Sequence, residues 1–153
     1  MANTYLGAYD TSRHSFVFQG FTITGFANDT YIDVERKSDG WSYHAGANGD
    51  FTRAKNLDKG GTFTLSLEAG HPDNAVLQSI ADEDEAFSTG FGTCQVIDHT
   101  GDPSNPPEAH SPVAWIRKQP KLARAKEPGK VQWVIDCGLL EVRETGNLIP
   151  AVT

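Results

Sequence analysis

The sequence predicts a mainly β protein, an antiparallel β-sandwich or barrel with one flanking α-helix. Three observations carry that expectation. Short segments alternate apolar with polar side chains, glycine-containing turns break them at close intervals, and only one stretch carries apolar residues at helical spacing. The chain has 153 residues, enough to close one core, and residues 1–153 are expected to form a single domain because no linker separates two core-forming halves.

The first expected strands are Ser15 to Phe18 and Phe21 to Phe26, followed by Tyr31 to Lys37. In the third, Ile32 and Val34 point one way, and Tyr31, Asp33, Glu35 and Lys37 the other. Trp41 to Ala45 and Phe51 to Lys55 come next, separated by Asn48-Gly49, a pair that supplies the positive φ angles of a tight turn. With Asp39-Gly40 before them and Gly60-Gly61 after them, these breaks predict a meander. Thr62 to Glu68 divides most cleanly: Phe63, Leu65 and Leu67 face a core, while Thr62, Thr64, Ser66 and Glu68 face away.

The helix is expected from about Asn74 to Asp82. Pro72 suits its entrance, Asp73 or Asn74 can cap its first amides, and Val76, Leu77, Ile80 and Ala81 share a face. Negative charge opposes the helix dipole at a carboxyl end, so the run Asp82 to Glu85 should end the helix and face water or a basic partner. Further strands are expected at Gly92 to Asp98, Val113 to Lys118, Leu122 to Ala125 and Val131 to Leu140. In the last, Val131, Trp133, Ile135 and Cys137 oppose Gln132, Val134 and Asp136. The proline-rich stretch 100–112 lacks the donors and apolar groups of a packed strand and reads as an exposed loop. Residues 1–13 and 148–153 read as loosely held or ordered by a neighbour.

Charge and motifs narrow the function. Acidic residues outnumber basic ones, 20 to 13, which disfavours a surface that grips nucleic-acid phosphates. No apolar run is long enough to span a membrane, and no basic start leads into an apolar core, so neither a membrane span nor a secretory signal is expected. Cys94 and Cys137 lie far apart in apolar segments and read as free thiols of a reducing compartment. His14, His44, His71, His99 and His110 show no zinc-ligand spacing, so no metal and no cofactor is expected. Asp98-His99 and His110-Ser111 come without a nucleophile elbow, and no phosphate-cradling glycine motif is present, so no catalytic residues are assigned.

Four pieces of the chain resemble the tail-tube structural proteins of bacteriophages, most of all those with contractile tails. They are VERKSDGWSYHAGANGDFTRAK at 34–55, DKGGTFTLSLEAGHPDNAVLQSI at 58–80, FGTCQVID at 91–98 and AWIRKQPKLARAKEPGKVQWVIDCGLL at 114–140. The most specific parts are GANGDFTR at 46–53, GTFTLSL leading into Pro72-x-Asn74, and Lys126-Glu127-x-Gly129 before the Trp133 strand. His71 departs from the small hydroxyl residue usual before the proline, the first 30 residues match loosely, and the 100–112 loop is longer than is typical.

The resemblance implies a tail-tube fold that assembles into six-membered rings stacked as a hollow tube for genome delivery. Each subunit would lend strands to a continuous inner barrel, which removes exposed sheet edges. It implies self-association, with tail sheath, tape measure, baseplate and tail terminator proteins as partners, and location in the virion tail after assembly in the host cytoplasm. DNA would pass without specific binding, because hydroxyls and carboxylates do not hold phosphates as basic groups do. By alternation, the residues expected toward the lumen are Asp33, Glu35, Thr62, Thr64, Ser66 and Glu68. The arm from Gly40 to Lys59 mixes aromatics with charges, as interfaces do. It nominates Trp41, Tyr43, Phe51, Arg53, Lys55 and Asp58 for stacking between rings; the alternative is a surface hairpin whose aromatics fold back on the core. Two other functions are alternatives: the tube protein of a contractile secretion or bacteriocin machine, and a carbohydrate-binding β-sandwich displaying Trp41, Tyr43, Trp115 and Trp133.

Overall fold

The computed structural model describes residues 4–5, 7–8, 14–24, 26, 32–100, 106–122, 126–127 and 129–143. Its strands are β1 (His14–Phe18), β2 (Phe21–Ile23), β3 (Ile32–Arg36), β4 (Trp41–Ala45), β5 (Phe51–Lys55) and β6 (Gly61–Glu68). Helix α1 (Asp73–Phe87) follows, then β7 (Phe91–Asp98), β8 (Ala109–Lys118), β9 (Lys130–Cys137) and β10 (Glu141–Val142). The architecture is mainly antiparallel β with one helix. The main sheet has the order β2-β1-β7-β8-β9-β6-β3, with β10 added beside β8, while among the described residues β4 and β5 pair only with each other.

The sheet is strongly curled. Phe16 on β1 and Phe63 on β6 stand four strand steps apart in the sheet order, a separation of about 19 Å were the sheet flat. Their ring centroids are 6.0 Å apart, in an edge-to-face contact. Beyond β2, Phe26 bridges to Leu67 of β6, so the chain that leaves one end of the sheet reaches the strand next to the other end. The enclosed core holds Phe16, Phe18, Ile23, Phe63, Leu65, Leu67, Trp133 and Ile135, joined by Leu77 and Ile80 from α1.

Several expectations are corrected. The β3–β6 region is not a simple meander: β3 pairs with β6, and the β4–β5 hairpin projects between them. Gly49 has the positive φ expected of a turn (86°), whereas the Asp39-Gly40 step joins two strands that do not pair. At Gly61 the reason for glycine is space, because a Cβ would overlap Leu140 and lie 3.0 Å from the Glu35 carbonyl oxygen. The second strand ends at Ile23, and the last is interrupted after Cys137 before resuming as β10. Leu122 is exposed and outside any strand, while residues 123–125 of the strand expected there lie outside the described residues.

The end of the proline-rich stretch is strand and not loop, since β8 begins at Ala109; residues 101–105 lie outside the described residues. Pairing with β7 passes from Cys94↔Ser111 to Gly92↔Ala114, so Pro112 and Val113 together oppose one residue. A bulge is where a strand tolerates a residue without an N–H.

The helix starts and ends differently from the sequence expectation. Neither Asp73 nor Asn74 caps it: Pro72 is the N-cap residue, and the His71 Nδ1 accepts the Asp73 N–H at 3.1 Å. The imidazole thus accepts one of the first-turn N–H groups of the helix. Asn74 instead ties elements together, donating to the Glu68 and His71 carbonyls and accepting the Trp133 indole N–H at 2.9 Å. At the other end the helix runs through the acidic residues to Phe87. Glu83 accepts the Thr89 hydroxyl and Asp84 accepts the Gly90 N–H, so these carboxylates brace the chain reversal that follows the helix. Trp133→Ala removes both a fully packed indole and the Asn74 bond, and is expected to cost about 3–5 kcal/mol in a denaturant titration.

Candidate functional site

The register places the six residues expected toward a lumen on one face of the sheet. Asp33 stands opposite Thr64 and Glu35 opposite Thr62, while Ser66 and Glu68 continue the same face along β6. Directly opposed residues of antiparallel strands share a face. Asp33, Glu35 and Glu68 are exposed, and the three hydroxyl residues are partly covered. The opposite face of β6 carries the core residues Phe63, Leu65 and Leu67.

The sequence did not show how the neighbouring cations are arranged. Asp136 on β9 lies opposite Thr62 and is only 5% exposed. Its carboxylate accepts from the Lys37 Nζ at 3.0 Å and the Thr62 hydroxyl at 3.2 Å, with the Arg117 Nε 3.7 Å away. Glu68 similarly stands opposite Lys130. Carboxylates therefore stand beside the basic groups next to this face, Asp136 beside both Lys37 and Arg117, and Glu68 opposite Lys130 in the register. No local motif links Lys37 with Asp136; only the β3–β6–β9 pairing unites them.

The β4–β5 hairpin forms the second surface. Trp41↔Lys55, Tyr43↔Arg53 and Ala45↔Phe51 are register pairs, which place Trp41, Tyr43, Phe51, Arg53 and Lys55 on one side. The Arg53 guanidinium lies 4.0 Å over the Trp41 ring, and the Tyr43 and Phe51 centroids are 5.8 Å apart. These aromatics do not fold back on the core: Tyr43 and Phe51 are 69% and 70% exposed. Trp133 lies in the core while Trp41 and Tyr43 project on the hairpin, so the sugar platform that would need all of them does not form.

Asp58 is separate from this aromatic face. Its carboxylate accepts the Gly60 N–H at 2.9 Å and the Ser38 hydroxyl at 3.2 Å, fixing the base of the arm. The Gly60 amide first, then Ser38 and the Lys37 charge, hold its pKa below the usual carboxylate value. A depressed folded pKa means that the contribution is present above the unfolded value of about 3.9 and is lost as pH falls through the folded one. The Gly60 amide resonance should therefore titrate with a midpoint below about 3.9 in an NMR pH series.

Cys94 and Cys137 are free and buried. Burial raises both thiol pKa values, most strongly at Cys94, so neither is an activated nucleophile. His99 hydrogen-bonds Ser15 at 2.8 Å, and Asp98 points to His14, so Asp98-His99 is not a local acid-base pair.

The family described as "Bacteriophage PhiTE tail tube protein" matches residues 18–144. This chain belongs to that tail tube family. It is a structural protein of the tail tube type, and the matched region contains both candidate surfaces. Among relatives of the tail tube chain is "Structural protein ORF10" of Pseudomonas phage KPP10, 27% identical over 126 residues, covering 82% of this chain and 72% of the relative. The fold is similar to that in a cryo-EM structure of the anti-feeding prophage cap, a tube-terminating cap. There the TM-score is 0.54 at 12% identity, covering 92% of this chain and 93% of the other.

Proposed function

We propose that this chain, acting throughout 1–153 as one unit, is the subunit of a phage tail tube built from stacked hexameric rings. The observation that carries the proposal is the pairing of a one-sided polar sheet with an exposed aromatic hairpin. In the ring, Asp33, Glu35, Thr62, Thr64, Ser66 and Glu68 face the bore, and neighbouring subunits pair at the sheet ends. Strands β2 and β3 occupy those ends in the described sheet, and paired edges no longer invite irregular addition. Trp41, Tyr43, Phe51, Arg53 and Lys55 contact the adjoining ring, while Asp58 fixes the arm that presents them. The work is architectural, without a catalytic step.

The carboxylates Asp33, Glu35, Glu68 and Asp136 among the few cations near the polar face support passage of DNA without attachment, since counterions leave phosphates only where free positive groups replace them. The outer partners are tail sheath, tape measure, baseplate and terminator proteins, and the tube is assembled in the host cytoplasm before residing in the virion tail. Sedimentation of the purified chain at rising concentration tests the assembly step. Six-subunit rings and longer polymers are expected; a monomer at every concentration contradicts the proposal.

A further inference from the structure

Beyond the role in assembly, we propose that His14, Asp98 and Glu108 form a binding site for a divalent transition-metal cation of the zinc type. The three side chains come from separate parts of the chain. His14 opens β1, Asp98 closes β7 as its register partner, and Glu108 immediately precedes β8. The His14 Nε2 lies 3.5 Å from Glu108 Oε2 and 3.9 Å from Asp98 Oδ1. One potential ligand atom from each residue lies within 4.8 Å of the other two.

These distances fit an ion. A point equidistant from three atoms at such spacings lies roughly 2.0–2.8 Å from each, a range that includes zinc–nitrogen and zinc–oxygen bonds of about 2.0–2.2 Å. An imidazole with two carboxylates suits a borderline transition metal better than calcium or magnesium, which favour oxygen donors alone. The His14 and Asp98 side chains are 12% and 4% exposed, so the groups are already substantially withdrawn from water. Asp98 Oδ1 also accepts the Thr100 N–H at 2.9 Å, which orients the carboxylate. Without a metal, the same distances describe direct contacts of His14 with the two carboxylates.

The bound cation braces the start of β1, the end of β7 and the entrance to β8 at one end of the sheet. The experiment uses the full chain, stripped with chelator, and titrates it with ZnCl2 by calorimetry and thermal unfolding. The expected result is one saturable site per chain and an upward shift in Tm reversed by chelator. His14→Ala and Glu108→Gln should each weaken binding by at least about tenfold. His44→Ala should leave binding unchanged, since His44 lies on the exposed hairpin. Circular dichroism checks the fold of each variant, and Glu108→Gln retains the test should His14→Ala unfold. Absence of saturable binding, or affinity unchanged in both folded site variants, overturns the proposal and leaves the direct contacts alone.

Discussion

Tubes should disappear from preparations of the Phe51→Ala/Arg53→Ala variant while its subunits remain folded. Neither residue belongs to the core, and both lie on a hairpin that, among the described residues, pairs only with itself. Phe51 packs beside Tyr43 and Arg53 covers Trp41, so the substitutions remove an organised aromatic and cationic surface. Such residues dominate many interfaces, where each effective truncation costs about 2 kcal/mol, roughly thirtyfold in affinity. Repetition around a ring multiplies the loss. Electron microscopy at the wild-type assembly concentration measures tube number, and the unfolding midpoint measures subunit integrity. Wild-type polymerisation by the folded double variant contradicts a stacking role for the hairpin.

Asp33→Lys/Glu35→Lys should have the reverse pattern: tubes assemble, but DNA is retained in them. Both carboxylates are exposed on the proposed bore face, opposite Thr64 and Thr62, and do not contribute to the core. Reversal creates a repeated ring of positive charge capable of replacing phosphate counterions. Retention should therefore fall steeply as salt is raised. DNA release from purified tubes over a salt series measures the effect. Release identical to wild type at low salt would contradict the assignment of this face to the bore.

Much of the polar face was legible because β6 obeys a two-residue period from Thr62 to Glu68, and one buried side is enough to fix its register. The β3 pairing then brings Asp33 and Glu35 onto that face. The hairpin was also visible through Asn48-Gly49, but its projection was not, since local turn chemistry does not reveal that β3 seeks β6 rather than β4. The helix extends beyond Asp82 because donors after its end engage Glu83 and Asp84, an outcome hidden by the unfavourable dipole alone. Asp136 and Lys37 meet across 99 residues, and His14, Asp98 and Glu108 converge through β1, β7 and the entrance to β8. Those sites are created by non-local pairing, and no short spacing could disclose them.

Helical reconstruction of the polymer formed by the purified chain offers the most direct test of assembly into a conduit. The expected density is a closed hollow cylinder, with adjacent sheet ends joined, the Asp33–Glu35 and Thr62–Glu68 face toward the bore, and the β4–β5 hairpin against the next ring. A filament with no continuous bore, or one carrying those carboxylates on its outer wall, would contradict that account.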